Sequence, residues 1–162
     1  NTPKNVPSVI NFGHFEAKGA TNVVPDKAFI KGTFRTMDEE WREEAKVGLM
    51  AIAQNVSINY KGEIKLNISH GYPFLKNDVE LTQSILNIAE NNFGKELVHQ
   101  LPKRMTSEDF AYYSQLVPVC FFRLGVRNEE KGIVSGLHHP KFDIDPRSIK
   151  KGIQMLSSIV FS

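Results

Sequence analysis

The sequence predicts an α/β chain of two units, a small α+β sandwich over residues 1–73 and part of a mixed-sheet α/β unit over residues 74–162. In the first unit, two strand patterns, an amphipathic helix pattern and a third strand pattern follow one another. In the second unit, the nearly continuous apolar run at 117–125 is typical of a strand that is buried on both faces. The turn region 72–76 interrupts the periodicity, so we place the boundary there.

The first unit is predicted from local patterns. Segments 8–17 and 27–36 mix β-branched and aromatic residues around a turn-rich stretch, which predicts two antiparallel strands. Thr36 stands three residues before Glu39, a capping-box spacing that predicts the start of a helix. Residues 63–69 alternate between apolar and polar, which predicts a third strand. The positions predicted to face the core are Ala28, Ile30, Gly32 and Phe34 in the second strand, and Trp41, Ala45, Leu49, Ile52 and Val56 in the helix.

The second unit is predicted to begin and end with helices. Asn77 stands three residues before Glu80 and predicts the cap of a helix that Gly94 ends. Ser107 predicts the start of a further helix. The last helix has the clearest start signal, with Asp145 as the N-cap followed by a proline. The apolar stripe predicted for this last helix comprises Ile149, Ile153, Leu156 and Val160.

The composition excludes several classes of protein. Twenty Lys and Arg against eighteen Asp and Glu give a net charge of +2, which is too small for a surface that binds nucleic acid. No apolar run reaches the ~20 residues that cross a bilayer. Cys120 is the single cysteine, so no internal disulfide can form, and its apolar neighbours predict a buried structural thiol. We therefore expect no nucleic-acid or membrane partner, and a cytoplasmic protein.

Two adjacent histidines are the first candidates for chemistry. His138 and His139 lie in the loop between the apolar run and the last helix, where open α/β sheets carry their sites. Neighbouring side chains of an extended backbone point in opposite directions, so at most one of the two is expected to bind a metal. Two surface histidines are the alternative, since no second ligand motif accompanies them.

An amide and a guanidinium are the second candidates. Asn22 and Arg35 lie at the two ends of the predicted strand pair. Together, an amide and an arginine form a natural receptor for a carboxylate, because arginine offers two parallel N–H donors. The alternative is a turn asparagine and a solvated arginine.

An acidic turn is the third candidate. Ser107, Glu108 and Asp109 would satisfy a helix start, and capping alone explains all three. The functional alternative is that one carboxylate points into a cleft, where it orients a metal ligand or accepts a hydrogen bond from a substrate.

Six short motifs resemble, in this order, the second half of the dinuclear-zinc amidohydrolases and peptidases of the aminoacylase and carboxypeptidase G family. They are Asn22-Val-Val-Pro25, Gly32-Thr-Phe-Arg35, Gly71-Tyr-Pro73, Thr106-Ser-Glu-Asp-Phe-Ala111, Phe121-Phe-Arg-Leu-Gly125 and Leu137-His-His-Pro-Lys-Phe-Asp143. Their order across nearly the whole chain makes the set specific. The branch that they resemble most includes hippurate hydrolase, N-acyl-L-amino-acid amidohydrolases and auxin-conjugate hydrolases. His139 departs from this branch, which usually has a small residue there.

The resemblance implies a fold and a set of roles. Residues 1–73 become a partial ferredoxin-like lid domain that mediates homodimerisation and lacks its first strand and helix. Residues 74–162 become the C-terminal part of a mixed-sheet α/β zinc-peptidase catalytic domain. Asn22 and Arg35 fall on the positions that hold the substrate's carboxylate, His138 on a metal ligand, and Glu108 on an acidic position that supports the metal site.

The resemblance also implies a reaction. Two divalent metal ions, zinc in the first place and manganese, cobalt or nickel as alternatives, are expected to assist cleavage of an N-acyl amino acid into a carboxylic acid and a free amino acid. The other ligands and the general base are expected upstream of Asn1, so these residues alone are expected to bind zinc weakly and to be inactive. The alternatives are a dipeptidase or aminopeptidase, another deacylase, and a non-catalytic dimerisation or binding module.

Overall fold

The computed structural model describes residues 2–162, and these contain two strands, three α-helices and two short 3₁₀ helices. They form two compact units, one of residues up to Leu75 with Lys103–Tyr112, the other of Lys76–Pro102 with Tyr113–Ser162. A small sheet combined with helices confirms the predicted α/β class. The roles of lid and catalytic segment stay predictions. Within the described residues, no helix is both long enough and apolar enough to span a membrane.

The predicted strand pair is present in the first unit. Strand β1, Ser8–Glu16, runs antiparallel to strand β2, Phe29–Thr36, with a shift of register between Phe12 and His14 that marks a β-bulge. The predicted buried face of β2 is wrong in this chain, since Ile30 is 57% exposed. The described residues place nothing over that part of the strand.

Helix α1, Glu39–Tyr60, follows β2 and packs against it. Its N-cap is Asp38, whose carboxylate accepts a hydrogen bond from the Trp41 N–H at 2.8 Å. The predicted cap, Thr36, is instead buried as the last residue of β2, where it accepts a hydrogen bond from the Ser8 hydroxyl at 3.0 Å. The prediction was wrong because two side chains able to cap lie two residues apart, and the strand pair uses the first of them.

Two further predicted strands do not form in the part of the chain that the structure describes. Residues 63–69 and 117–125 belong to no sheet. A strand exists only where a neighbouring backbone completes its ladder of hydrogen bonds, and neither segment has such a neighbour between residues 2 and 162. Alternating or continuous apolarity predicts burial of a segment, but it does not supply the partner strand.

Helix α2, Val79–Phe93, and helix α3, Arg147–Val160, contact each other in the second unit. The N-cap of α2 is Asp78, one residue after the predicted Asn77, and its carboxylate accepts a backbone N–H of the first turn. The predicted end at Gly94 is confirmed, and this glycine has a φ of 91°, which residues with a Cβ rarely adopt.

Asn77 has a different role, since it fastens segment 117–125 to the start of α2. Its Oδ1 accepts a hydrogen bond from the Phe121 N–H at 2.8 Å, and its Nδ2 donates to the Phe121 carbonyl at 3.0 Å. Beside this pair, the Asp78 N–H donates to the Val119 carbonyl at 2.8 Å. The side-chain amide therefore replaces, at Phe121, the two hydrogen bonds that a neighbouring strand would make.

We expect Asn77→Ala to lower the free energy of unfolding by about 2 kcal/mol, because two hydrogen bonds of about 1 kcal/mol each are lost. Chemical denaturation of the full-length protein measures this change. Asn77→Asp is the matched control, since it keeps the acceptor and replaces the donor by a second oxygen that faces a carbonyl. We expect Asn77→Asp to be at least as unstable as Asn77→Ala. Wild-type stability in both variants would show that this amide does not hold the segment.

Helix α3 has one buried face and a separate, exposed apolar face. Ser148 and Met155 are buried, and Gly152 lies on the same side, where a Cβ would come within 3.2 Å of Leu124 Cδ2. The predicted core stripe lies on another face and is exposed, with Ile153 at 62%. The prediction was wrong about which face this unit buries, although the apolar stripe itself exists. Its members are Ile149, Ile153, Leu156 and Val160.

The chain buries little surface for its size. Its accessible surface is 13445 Å², whereas two separate compact domains of half its mass would together expose about 9,800 Å². Among the described residues, the buried hydrophobic ones are Ile85, Ala111, Val119 and Met155. Helix α1 has no fully buried residue; in its predicted core stripe Trp41, Ala45 and Leu49 are half-buried, and Ile52 and Val56 are exposed. Much of the sequence that is patterned as core is therefore exposed in these 162 residues.

Candidate functional site

The structure distinguishes the two histidines, which lie in the second unit. The His139 ring closes a local turn, because its Nδ1 accepts a hydrogen bond from the Lys141 N–H at 3.1 Å. His138 has a φ of 67°, a left-handed conformation that is uncommon for a residue with a Cβ. The exposed His138 ring makes no hydrogen bond with residues 2–162. His138 is therefore the histidine whose ring nitrogens are both available to a ligand.

The donor set around His138 fits one position of a metal site. An imidazole nitrogen is a common ligand of zinc, which in catalytic sites takes three protein ligands and a water. Within residues 2–162, no group of three or more His, Cys, Asp and Glu side chains could hold a metal ion. His138 could therefore provide one ligand at most, and a complete centre would require further ligands.

A second polar cluster surrounds Asp145 and is structural. Its buried carboxylate accepts hydrogen bonds from Asn128 Nδ2 at 2.6 Å and from Arg147 Nη2 at 2.7 Å. Lys131 Nζ lies 3.3 Å away. The carboxylate also accepts the Arg147 N–H at 3.1 Å, but the predicted cap is one residue early, because α3 begins at Arg147 and its N-cap residue is Pro146. These bonds join the hairpin at 128–133 to the start of α3. The sequence predicted only a contact of Asp145 with the start of the helix, since the other partners follow no local pattern.

The pKa of the Asp145 carboxyl is lowered well below its usual range, first by hydrogen bonds from the Arg147 side chain and then by that from Asn128. In the unfolded chain the pKa is about 3.9. The folded state therefore binds this proton less readily, so the stabilisation is fully present above that pKa and is lost as the pH falls below it.

We expect Asp145→Asn to lower the melting temperature by a few degrees at neutral pH. Between about pH 5 and pH 3, the melting temperature of the variant should fall less steeply with decreasing pH than that of the wild type. Calorimetry of the metal-free full-length protein measures this without a contribution from metal release. The same pH dependence in the variant and the wild type would contradict the role of the carboxylate.

Asn22 and Arg35 lie at opposite ends of the hairpin in the first unit. Asn22 is in the connection between the strands, beyond the pair formed by Glu16 and Phe29. Arg35 pairs with Val9 at the other end. The strand from Phe29 to Arg35 alone spans about 20 Å. The structure therefore does not bring the two predicted carboxylate ligands together along this hairpin.

Arg35 carries a charge without a counter-ion. The residue is half-buried, its guanidinium donates from Nη1 to the Met105 carbonyl at 2.9 Å, and it forms no ion pair within residues 2–162. Charges that are partly removed from water are normally paired, and a neutral carbonyl leaves the positive charge uncompensated. Arg35 is therefore available to an anion. Nothing local in the sequence indicates the contact with Met105, which lies seventy residues away.

Glu108 lies in the same unit as Arg35, because Lys103–Tyr112 belongs to the first unit. The ring of Tyr112 packs edge-on against Tyr72 with centroids 5.8 Å apart, which is a second contact of this segment. The helix predicted to start at Ser107 begins instead at Asp109, as a 3₁₀ helix. The half-buried Glu108 stands just before it. The first unit thus carries Asn22, Arg35 and Glu108, and the second unit carries His138.

A comparison with protein families shows which family this chain belongs to. The sequence pattern of peptidase family M20/M25/M40 matches residues 6–162, which is nearly the whole chain. The chain belongs to this family. The match covers both units, and with them all four predicted site residues.

Relatives in family M20/M25/M40 are longer than this chain. An "Uncharacterized hydrolase" of Staphylococcus saprophyticus is 35% identical over 81% of this chain and 34% of its own length. The "Putative amidohydrolase YhaA" of Bacillus subtilis is 31% identical over 93% of this chain and 38% of its own length. The chain thus spans between about a third and two fifths of the relatives that it matches.

Solved structures show the same fold. A "putative aminohydrolase" from methicillin-resistant Staphylococcus aureus superposes with a TM-score of 0.78 at 26% identity, over 98% of this chain and 40% of the other. Bacillus subtilis YXEP, described as a dinuclear metal binding peptidase from the M20 family, gives a TM-score of 0.76 at 24% identity, over 94% of this chain and 41% of the other. The fold of these residues is therefore that of M20 proteins.

Proposed function

We propose that this chain is part of a metal-dependent amidohydrolase that cleaves N-acyl amino acids into a carboxylic acid and a free amino acid. The observation that carries the proposal is the guanidinium of half-buried Arg35, which has a neutral partner and no counter-ion among residues 2–162. A receptor of this kind selects substrates with a free carboxylate. Membership of family M20/M25/M40 and the name of the Bacillus subtilis relative support amide hydrolysis as the chemistry.

Each candidate residue has a proposed role. Arg35 binds the substrate's carboxylate, whereas Asn22, at the far end of the hairpin, does not share that contact within one chain. His138 offers one ring nitrogen to a metal centre, which we propose to contain two divalent ions, zinc in the first place. Such a centre supplies an activated water and polarises the amide carbonyl. Glu108 supports the site through hydrogen bonds, and the general base comes from another part of the protein.

The proposed partners follow from the same assignment. The substrate is a small molecule, and we propose a homodimer that forms through the first unit. The remaining ligands lie outside these residues, so we propose that this chain by itself binds zinc weakly and does not turn over amides. A cytoplasmic location is part of the proposal.

A peptidase of the same family is the second candidate, because the related Bacillus subtilis structure is described as a peptidase. The same arginine would then hold the C-terminal carboxylate of a dipeptide. The acyl side of the substrate separates the two functions, since a dipeptide carries an amino group there and an N-acyl amino acid does not.

The function is tested by assaying the full-length protein, loaded with zinc, manganese, cobalt or nickel, against N-acetyl amino acids, hippurate and dipeptides. We expect a higher kcat/KM for the N-acyl amino acids and hippurate than for the dipeptides. A clear preference for dipeptides would establish the peptidase instead. No hydrolysis of any of them with every metal would contradict both and favour a binding or dimerisation module.

A further inference from the structure

The hydrogen bond between Arg35 and the Met105 carbonyl restricts the orientation of the Arg35 side chain. Arg35 is held at its backbone by pairing with Val9 in the hairpin, and its neighbour Thr36 is buried. At the far end of the side chain, Nη1 donates to the Met105 carbonyl at 2.9 Å. The Arg35 side chain is therefore held at both ends within one compact unit, which restricts the rotamers of an otherwise flexible residue.

The hydrogen bond to Met105 divides the guanidinium into a used part and a free part. Nη1 is engaged by Met105, whereas Nε and Nη2 make no hydrogen bond among residues 2–162. These two nitrogens carry parallel N–H groups on the side of the guanidinium away from Cδ. That spacing matches the two oxygens of a carboxylate, which can accept both N–H groups at once.

We infer that the Met105 main-chain carbonyl is a positioning group, which orients Arg35 so that its Nε and Nη2 face the substrate's carboxylate. This inference rests on the proposed function, because it concerns the receptor that the function requires. The carbonyl is suited to the role since it is neutral. A carboxylate in its place would orient the guanidinium equally well, but it would also neutralise the charge that attracts the substrate.

The contact also joins substrate binding to segment 103–112. Met105 immediately precedes the motif that contains Glu108, and the segment makes its second contact with the first unit through Tyr112. A carboxylate bound at the free edge therefore rests on a guanidinium that this segment holds in place. Met105 contributes through its backbone, so a side-chain pattern in the sequence does not show it.

The test weakens the carbonyl and changes no side chain. In the full-length, metal-loaded protein, Thr106 is replaced by its α-hydroxy acid, which converts the 105–106 amide into an ester with a weaker acceptor oxygen. The Thr106 N–H that is lost makes no hydrogen bond among residues 2–162. We expect KM for an N-acyl amino acid to rise about five- to tenfold at unchanged kcat. KM for the carboxamide analogue of that substrate should not change.

Two controls separate the possible results. The same replacement at Ser107 weakens a carbonyl that makes no hydrogen bond among the described residues, and should leave KM unchanged. Arg35→Lys keeps a donor for Met105 but has no second parallel N–H, so we expect KM to rise as far as in Arg35→Ala. Near-wild-type KM in the lysine variant would overturn the inference, even if the ester protein failed to fold.

The outcomes for Met105 and for the proposed function differ. If Arg35→Ala raises KM for the carboxylate substrate and the ester does not, the role of Met105 is overturned while the function stands. If the ester raises KM equally for the carboxylate and the carboxamide, the contact only maintains the fold and the inference is overturned. If Arg35→Ala itself has no carboxylate-dependent effect, the proposed function fails.

Discussion

Replacing His138 by alanine in the full-length protein is expected to lower kcat/KM for amide hydrolysis by about a thousandfold and to release at least one metal ion. The loss of a residue that merely orients a ligand reduces affinity or activity about 10- to 100-fold, and the loss of a ligand itself exceeds this. The structure supports this choice of histidine because the His138 ring makes no hydrogen bond among residues 2–162. Kinetics with elemental analysis of the purified variant measure both effects.

His139→Ala is the matched control, one residue away. Its ring accepts the Lys141 N–H, so the variant loses a turn contact and keeps the ligand. We expect full metal content and a change in kcat/KM of less than about tenfold, as for a lost neutral hydrogen bond. Metal loss from His139→Ala with retention in His138→Ala would reverse the assignment.

Arg35→Ala is expected to raise KM for N-acyl amino acids about a hundredfold, with metal content unchanged. A bidentate, charge-assisted contact is lost, and hydrogen bonds to charged groups contribute about 1.5–3 kcal/mol each. We expect kcat to change much less, because a carboxylate remote from the scissile amide is bound in the ground state and the transition state alike. Steady-state kinetics and elemental analysis of the same preparation test both statements.

The control for charge is Lys31→Ala, which removes an exposed cation from the same strand. We expect wild-type KM, since long-range attraction between exposed charges is screened by salt. An equal rise of KM in both variants would mean that the net charge of the strand attracts the substrate. It would contradict a specific receptor at Arg35. Loss of metal from Arg35→Ala would show a structural role instead.

The sequence predicted those elements whose hydrogen bonds are local. The hairpin β1 and β2 and the helices α1, α2 and α3 lie within about two residues of the predicted positions. The caps of α1 and α2 were misplaced because Thr36 and Asn77 each lie close to an aspartate that is also able to cap. In each case the predicted residue binds a distant partner, which is a tertiary contact.

The strands predicted at 63–69 and 117–125 failed for a different reason. Their apolar patterns are strong, but a strand depends on a partner backbone that a local pattern cannot specify. The apolar stripe of α3 failed similarly, because these residues cover a face with Ser148 and Met155 instead, and the sequence does not say which face is covered. Patterns identify surfaces that need covering, and the structure shows which of them this part of the chain covers.

The types of residue in the candidate site could be predicted from the sequence. Which residue of each type is free to bind a ligand could not. The sequence predicts at most one ligand from the histidine pair, and the hydrogen bond to the His139 ring supports the choice of His138. The contact between Arg35 and Met105 could not be expected, since it joins a side chain to a backbone atom seventy residues away. Such contacts depend on how separate segments meet, which no local motif records.

The exposed apolar face of α3 has a practical consequence for handling the protein. A contiguous row of apolar side chains that faces water promotes association with other molecules. Cells producing only these 162 residues should therefore yield inclusion bodies or chaperone-bound material. Mutants meant to dissect the chemistry are best made in the intact gene product, where losses of solubility can be told apart from losses of catalysis.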